Sequence, residues 1–176
     1  IGLLYPLCRR RWGVRQLSAV DLRGHRVGGP RRLGADVTFN PRDGDAVQAV
    51  LEATGGQGAD LVVEACGEPQ AITWALQAAR MYGTVVLFGV PEQDHVTLDY
   101  FSALRKQLAL VATVSATCED PARPIRLAVE LKRQGWPDLS WLVTHRMPFE
   151  EAPLAYELYA AHAENVLKVV LRVDAR

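Results

Sequence analysis

The sequence predicts an α/β fold built on a doubly wound parallel sheet. Two observations lead there: apolar runs of strand length alternate with segments whose apolar residues recur at helical spacing, and glycine-rich turns sit between them. Parallel strands need long crossover connections, which the intervening helices supply. Burial on both faces explains why the strand runs are nearly continuous in apolar character.

Taken in order, the strand candidates are 17–20, 37–39, 61–63, 84–88 and 108–114. Between the second and third, Val47, Val50, Leu51 and Thr54 fall at i, i+3, i+4 and i+7, the stripe of an amphipathic helix. Ile72, Ala75, Leu76 and Ala79 repeat that spacing, and a further helix over 122–134 is expected to bury Ile125, Ala128 and Val129. Gly34, the run from Gly55 to Gly58, and Gly83 each precede a strand, where a turn is needed. The character changes after Gly135-Trp-Pro137. A strand at 141–144 is followed by a helix with Phe149, Ala152, Tyr156, Tyr159 and Ala160 on one apolar face, and then by a strand at 166–173. Pro153 is tolerable there because it lies near the first helical turn. These last three elements look like an appendix to the sheet domain, with the division falling between 1–137 and 138–176.

Composition narrows the function. Lys+Arg 20 balances Asp+Glu 20, which gives no reason to expect nucleic acid or a membrane surface as partner. At 49% hydrophobic the chain is too apolar for disorder. The stretch 108–118 is far shorter than the ~20 residues of a membrane helix. The apolar start precedes Arg9-Arg-Arg11, whereas a signal peptide has its basic residues first. A cytoplasmic protein with three reduced thiols is expected. Cys8, Cys66 and Cys118 form no C-x-x-C pair, and the four histidines are scattered, so no metal cluster is expected. The chain begins with Ile, and the expectation is that a segment is missing upstream.

The signal for chemistry is Gly2 followed by Asp21, 19 positions later. In a dinucleotide-binding unit, G-x-G-x-x-G joins the first strand to a helix facing the pyrophosphate, and an acid ~20 residues on grips the adenosine ribose. Gly2 fits the third glycine, which would place the first strand before residue 1. A packing glycine and a surface aspartate fit the same two residues.

Longer strings add to this. Gly34-Ala-Asp36, Thr54-Gly-Gly-Gln-Gly-Ala-Asp-Leu-Val-Val-Glu-Ala-Cys-Gly67 and Gly83-Thr-Val-Val-Leu-Phe-Gly-Val-Pro91 resemble the medium-chain dehydrogenase/reductase family. So do Leu142-Val-Thr-His-Arg-Met-Pro-Phe-Glu-Glu151 and Lys168-Val-Val-Leu171. That family comprises zinc-type alcohol, polyol and threonine dehydrogenases and zinc-free quinone reductases. The resemblance implies a Rossmann-like domain lacking its first strand. It implies that Gly2 and Leu3 face the pyrophosphate, that Asp21 grips the adenosine ribose, and that Arg26 lines the same pocket. By the same resemblance Ala65, Cys66 and Gly67 pack on the adenosine half, Phe88, Gly89 and Val90 meet the nicotinamide, and Lys168 reaches the phosphates. Arg26 and Lys168 fit solvated charges equally well, and Cys66 is read as a small buried residue in preference to a reactive thiol.

The cofactor implied is NAD, because a carboxylate at Asp21 pairs with a ribose diol and repels an added phosphate. NADP stays open, since Arg23, His25 and Arg26 offset part of that repulsion. The complete protein is expected to move hydride between a secondary alcohol or polyol and nicotinamide, and to form a homo-oligomer through the sheet edge near 111–114. Zinc is expected only in the missing catalytic domain. No catalytic and no metal-ligating residue is assigned within the chain, which alone is expected to be inactive. The alternatives are a zinc-free quinone reductase, an S-adenosylmethionine binder, and a non-enzymatic nucleotide-binding or oligomerisation remnant.

Two departures from the family carry structural expectations. Residues 23–33 hold three glycines and a proline, at roughly 1 kcal/mol per Gly and 3 for Pro in a helix, so the helix there should be broken or shortened. Loss of the first strand should leave either a gap or direct pairing between strands 17–20 and 61–63, and the two terminal strands should lack most partners.

Overall fold

The computed structural model describes residues 13–113, 120, 122–136, 138–161 and 163–173. The chain divides into two compact units, Ile1–Ala116 and Thr117–Arg176, which groups 117–137 with the C-terminal elements.

In the first unit, β1 (Ser18–Val20) and β2 (Val37–Phe39) pair in parallel as a two-stranded sheet. A second parallel sheet has the order β3 (Ala59–Glu64), β4 (Ala79–Leu87), β5 (Ala109–Ala112). The two sheets share no strand pairing, and no described strand lies between β1 and β3. Of the two expected outcomes, the direct pairing does not form among the described residues.

The helices explain themselves locally. Asp45 caps α2 (Ala46–Ala53), its Oδ1 accepting the Val47 and Gln48 N–H groups at 2.8 and 3.0 Å. Pro69 opens α3 (Pro69–Ala78), where a missing N–H leaves no helical bond unmade. Here α3 packs on β3 and β4 and contributes Ala75 and Leu76 to a core completed by Ala79 and Val85, with Val62, Leu87, Ala103 and Leu108 around it. The sequence reading gave no helix at α4 (Tyr100–Lys106). Its signal was Asp99, which caps it by accepting the Ser102 N–H at 3.0 Å and hydroxyl at 2.6 Å. From the last turn of α4, Lys106 Nζ donates to the carbonyls of Leu76, Gln77 and Ala79 at 3.2, 2.5 and 2.9 Å, closing the C-terminal end of α3.

Three local expectations are corrected. The stretch 23–33 is a continuous helix, α1 (Gly24–Arg32), despite Pro30 inside it. It packs on β1 and β2 with Gly29 and Pro30 buried, so tertiary contact outweighs poor propensity, and it stops two residues after the proline. β4 starts at Ala79, earlier than expected. Its pairing steps from Ala59↔Ala79 to Leu61↔Thr84, leaving a bulge in which Tyr82 has φ +58°. In the second unit, α5 (Ala122–Arg133) forms as expected, but Ile125, Ala128 and Val129 are exposed. An apolar stripe shows that a face needs cover without saying where the cover comes from.

The second unit also holds β6 (Val143–Pro148) and β7 (Lys168–Arg172), which among the described residues pair in parallel with each other only, as expected for strands short of partners. Residues 140–142 form a 3-10 turn, so β6 begins later than the 141–144 run implies. A 3-10 turn leads into α6 (Ala152–Ala161), with Pro153 in its first turn. Of this helix Ala155 is buried, while Phe149, Tyr156 and Tyr159 of the expected inner face are exposed. No helix among the described residues is long and apolar enough to cross a membrane.

Candidate cofactor-binding cleft

Open α/β sheets bind ligands beyond the carboxyl ends of their strands, and three such ends carry the residues singled out by sequence. Asp21 directly follows β1. Its N–H donates to the Phe39 carbonyl at 3.2 Å and its Oδ1 accepts the Arg23 N–H at 3.0 Å, which fixes the carboxylate against its own turn. Arg26 lies in α1. Gly2 and Leu3 lie outside the described residues, as does the residue at 114 on the expected oligomer edge.

Ala65, Cys66 and Gly67 follow β3, and Phe88, Gly89 and Val90 follow β4. The structure brings these two triplets together. Phe88 and Gly89 N–H groups both donate to the Glu64 carbonyl, at 2.9 and 3.0 Å. At this crossing only glycine fits. A Cβ on Gly67, whose φ is +83°, would sit 2.4 Å from the Val90 carbonyl oxygen, and one on Gly89 would sit 2.1 Å from the Gly67 nitrogen. Beside the crossing a cavity of about 170 Å³ is lined by Cys66, Gly67, Pro69, Val90 and Pro91, among others. That is below the ~300–1,000 Å³ of a complete small-molecule site and suits a single ring.

Glu64 was not singled out in the sequence. It is 4% exposed. One carboxylate oxygen, Oε1, accepts the Cys66 N–H at 2.7 Å, the Gly67 N–H at 2.8 Å and the Cys66 thiol at 3.1 Å. The other, Oε2, is buried with no hydrogen-bond partner. The available signal was an acid ending the apolar run Leu61-Val-Val-Glu64, where burial of a charge demands a purpose.

Cys66 corrects its sequence reading, since it is exposed and not buried. Desolvation of its sulfur first, and then the hydrogen bond and charge of Glu64, push the thiol up to about 11, against the pull of a backbone hydrogen bond at Glu68. It is a poor nucleophile for that reason. Lys168 lies in the second unit at the start of β7, exposed, its carbonyl accepting the Thr144 hydroxyl at 3.2 Å. Among the described residues, no group of three or more His, Cys, Asp and Glu is placed to hold a metal ion, so the donor set does not fit zinc.

Residues 1–130 match the family described as zinc-binding dehydrogenase. The alcohol dehydrogenase of Cupriavidus necator is 31% identical over 172 residues, covering 98% of this chain and 46% of that protein. The L-threonine 3-dehydrogenase of Symbiobacterium thermophilum is 33% identical over 178 residues, covering 100% of this chain and 49% of that protein. Among solved structures, alcohol dehydrogenase TADH from Thermus sp. ATN1 has a TM-score of 0.85 at 28% identity, over 98% of this chain and 48% of that one. The sheet and its strand-end crossing thus define an α/β dehydrogenase domain. The chain belongs to the zinc-binding dehydrogenase family, and it spans about half the length of the curated relatives it matches.

Proposed function

We propose that the chain is the cofactor half of an NAD-dependent oxidoreductase that, in the complete protein, moves hydride between a secondary alcohol or polyol and nicotinamide. The observation that carries this reading is the glycine-only crossing of Gly67 and Gly89 at adjacent strand ends, with a ring-sized cavity beside it, in a chain of this family. When bound, the nicotinamide supplies the hydride acceptor, and the chain's own residues bind and orient it. Phe88, Gly89 and Val90 offer backbone to the nicotinamide end, and Ala65, Cys66 and Gly67 the wall facing the adenosine half. Asp21 is positioned after β1 to accept hydrogen bonds from a ribose diol. Its Oδ1 already holds the Arg23 N–H, which pre-orients the carboxylate. Gly2, Leu3, Arg26 and Lys168 complete the proposed phosphate and adenosine contacts.

Residues 1–137 form the proposed cofactor domain and 138–176 a segment of the catalytic domain. The chain alone is proposed to be inactive, because no described residue is placed to activate the alcohol. We further propose a cytoplasmic homo-oligomer. β5 is the edge of its sheet and all four of its residues are exposed, so its outer edge is open for pairing.

The test is a fluorescence titration of the chain with NADH and with NADPH. NADH should bind, and NADPH at least tenfold more weakly, with the difference lost in Asp21→Ala. Absence of NADH binding at millimolar concentration would overturn the reading. Equal affinity for both nucleotides would overturn the choice of NAD.

A further inference from the structure

We infer that Glu64 is the positioning residue of this cleft: it shapes the turn after β3 and seats it against the turn after β4, so that the nicotinamide end of the site exists only while its carboxylate is in place. The inference rests on the cofactor reading above.

The geometry is specific. The Glu64 main-chain carbonyl takes the Phe88 and Gly89 N–H groups, while its side chain takes the Cys66 and Gly67 N–H groups. One residue therefore meets two successive backbone donors in each of two loops, its carboxylate holding 66–67 and its carbonyl holding 88–89. Oε2 faces Gly89, since a Cβ there would lie 2.6 Å from it. Gly89 thus leaves room for this carboxylate as well as for the close approach of Gly67. A group this deeply buried with an unpartnered oxygen carries a desolvation cost. The engaged oxygen sets the shape of the loop. Without that acceptor, the Cys66 and Gly67 N–H groups lose their partner, and the wall between Gly67 and Val90 loses its set distance.

Two variants separate positioning from mere stability. Glu64→Gln keeps an oxygen acceptor at the Oε1 position, whereas Glu64→Ala removes it. Each is titrated with NADH and with AMP well below its melting temperature. AMP meets Asp21 and the 65–67 wall but lacks the nicotinamide that faces the 88–90 turn. In Glu64→Ala, NADH affinity should fall at least tenfold and AMP affinity by a clearly smaller factor, while Glu64→Gln should stay within threefold of wild type for both. Equal loss for both nucleotides, or no loss for either, would overturn the positioning role.

A second readout needs no nucleotide. In a Cys8→Ser/Cys118→Ser background, Glu64→Ala should speed alkylation of Cys66 several-fold at pH 8, because the thiol then loses the acceptor and charge that disfavour its ionisation. An unchanged rate would overturn the Glu64–Cys66 contact itself. If wild type binds no NADH, the cofactor reading fails, and the alkylation result still decides whether Glu64 shapes the turn.

Discussion

Lys106 offers the sharpest test of how the cleft is held up. Its ammonium closes three carbonyls at the end of α3, Leu76, Gln77 and Ala79, just where the chain turns into β4. Carbonyls at a helix C-terminus have no intrahelical donor and carry partial negative charge, so a cation there is favourable twice over. Burial holds the Lys106 ammonium below its ordinary value, with Asp99 pulling the other way, so desolvation offsets part of the gain. Replacement by methionine keeps most of the stem packing and removes all three donors. A hydrogen bond to a charged group contributes ~1.5–3 kcal/mol, but Lys106 is only partly buried, water can reach some of the carbonyls, and the three bonds are not additive. The expected net loss in Lys106→Met is about 2–3 kcal/mol. For a chain of this size that is about 5–10 °C in Tm. Urea unfolding followed by circular dichroism measures it, with thermal melts as a check. A loss below about 0.5 kcal/mol would refute the claim that this lysine anchors the α3–β4 junction.

Other substitutions test other links. Tyr82 occupies a left-handed conformation at φ +58° and is 64% exposed, so Tyr82→Gly should relieve strain while losing little packing. After the entropy of the more flexible unfolded chain is subtracted, thermal melts should show a gain of about 0.5–1 kcal/mol, and destabilisation would contradict the reasoning. Gly89→Ala should cost at least about 3 kcal/mol in urea unfolding, because its Cβ meets backbone at the crossing and a buried carboxylate behind it, and a near-neutral change would mean that the two strand ends are not in contact. Cys66 titrates near 11, so its alkylation in the Cys8→Ser/Cys118→Ser background should be about 100-fold slower at pH 7.5 than that of an ordinary cysteine, and should rise about tenfold per pH unit up to that point. The sign for stability follows: with the folded thiol raised, the Cys66 contribution is complete below its unfolded value and is lost as pH climbs toward 11.

The strands were legible because apolar, β-branched runs of strand length sit between turn signals, even where burial is incomplete, as at Leu61 and throughout β5. Runs such as Leu61-Val-Val63 and Thr84-Val-Val-Leu87 could be little else, and β1, β2, β3 and β5 formed within a few residues of their expected places. Helices with an apolar stripe, α2 and α3, were equally readable. What failed was local propensity set against tertiary contact. α1 forms around Gly28, Gly29 and Pro30 because it packs on β1 and β2. α4 was missed because its seven residues are too short to repeat an apolar stripe, leaving the Asp99 cap as the clue. The exposed faces of α5 and α6 show the converse, since periodicity forecasts an apolar face but not its partner. At the site, the glycines of the two strand ends were visible as motif, whereas Glu64 depended on the approach of two loops 20 or more residues apart. Only the pairing of β3 with β4 creates that approach.

The central claim is that a nicotinamide dinucleotide binds across these strand ends. The most direct test is a titration of ¹⁵N-labelled chain with NADH, followed by amide chemical shifts. Saturable shifts should concentrate at Asp21, Cys66, Gly67, Gly89 and Val90, with α5 and α6 far less affected. Shifts confined to other surfaces, or a spectrum unchanged at millimolar NADH, would contradict it.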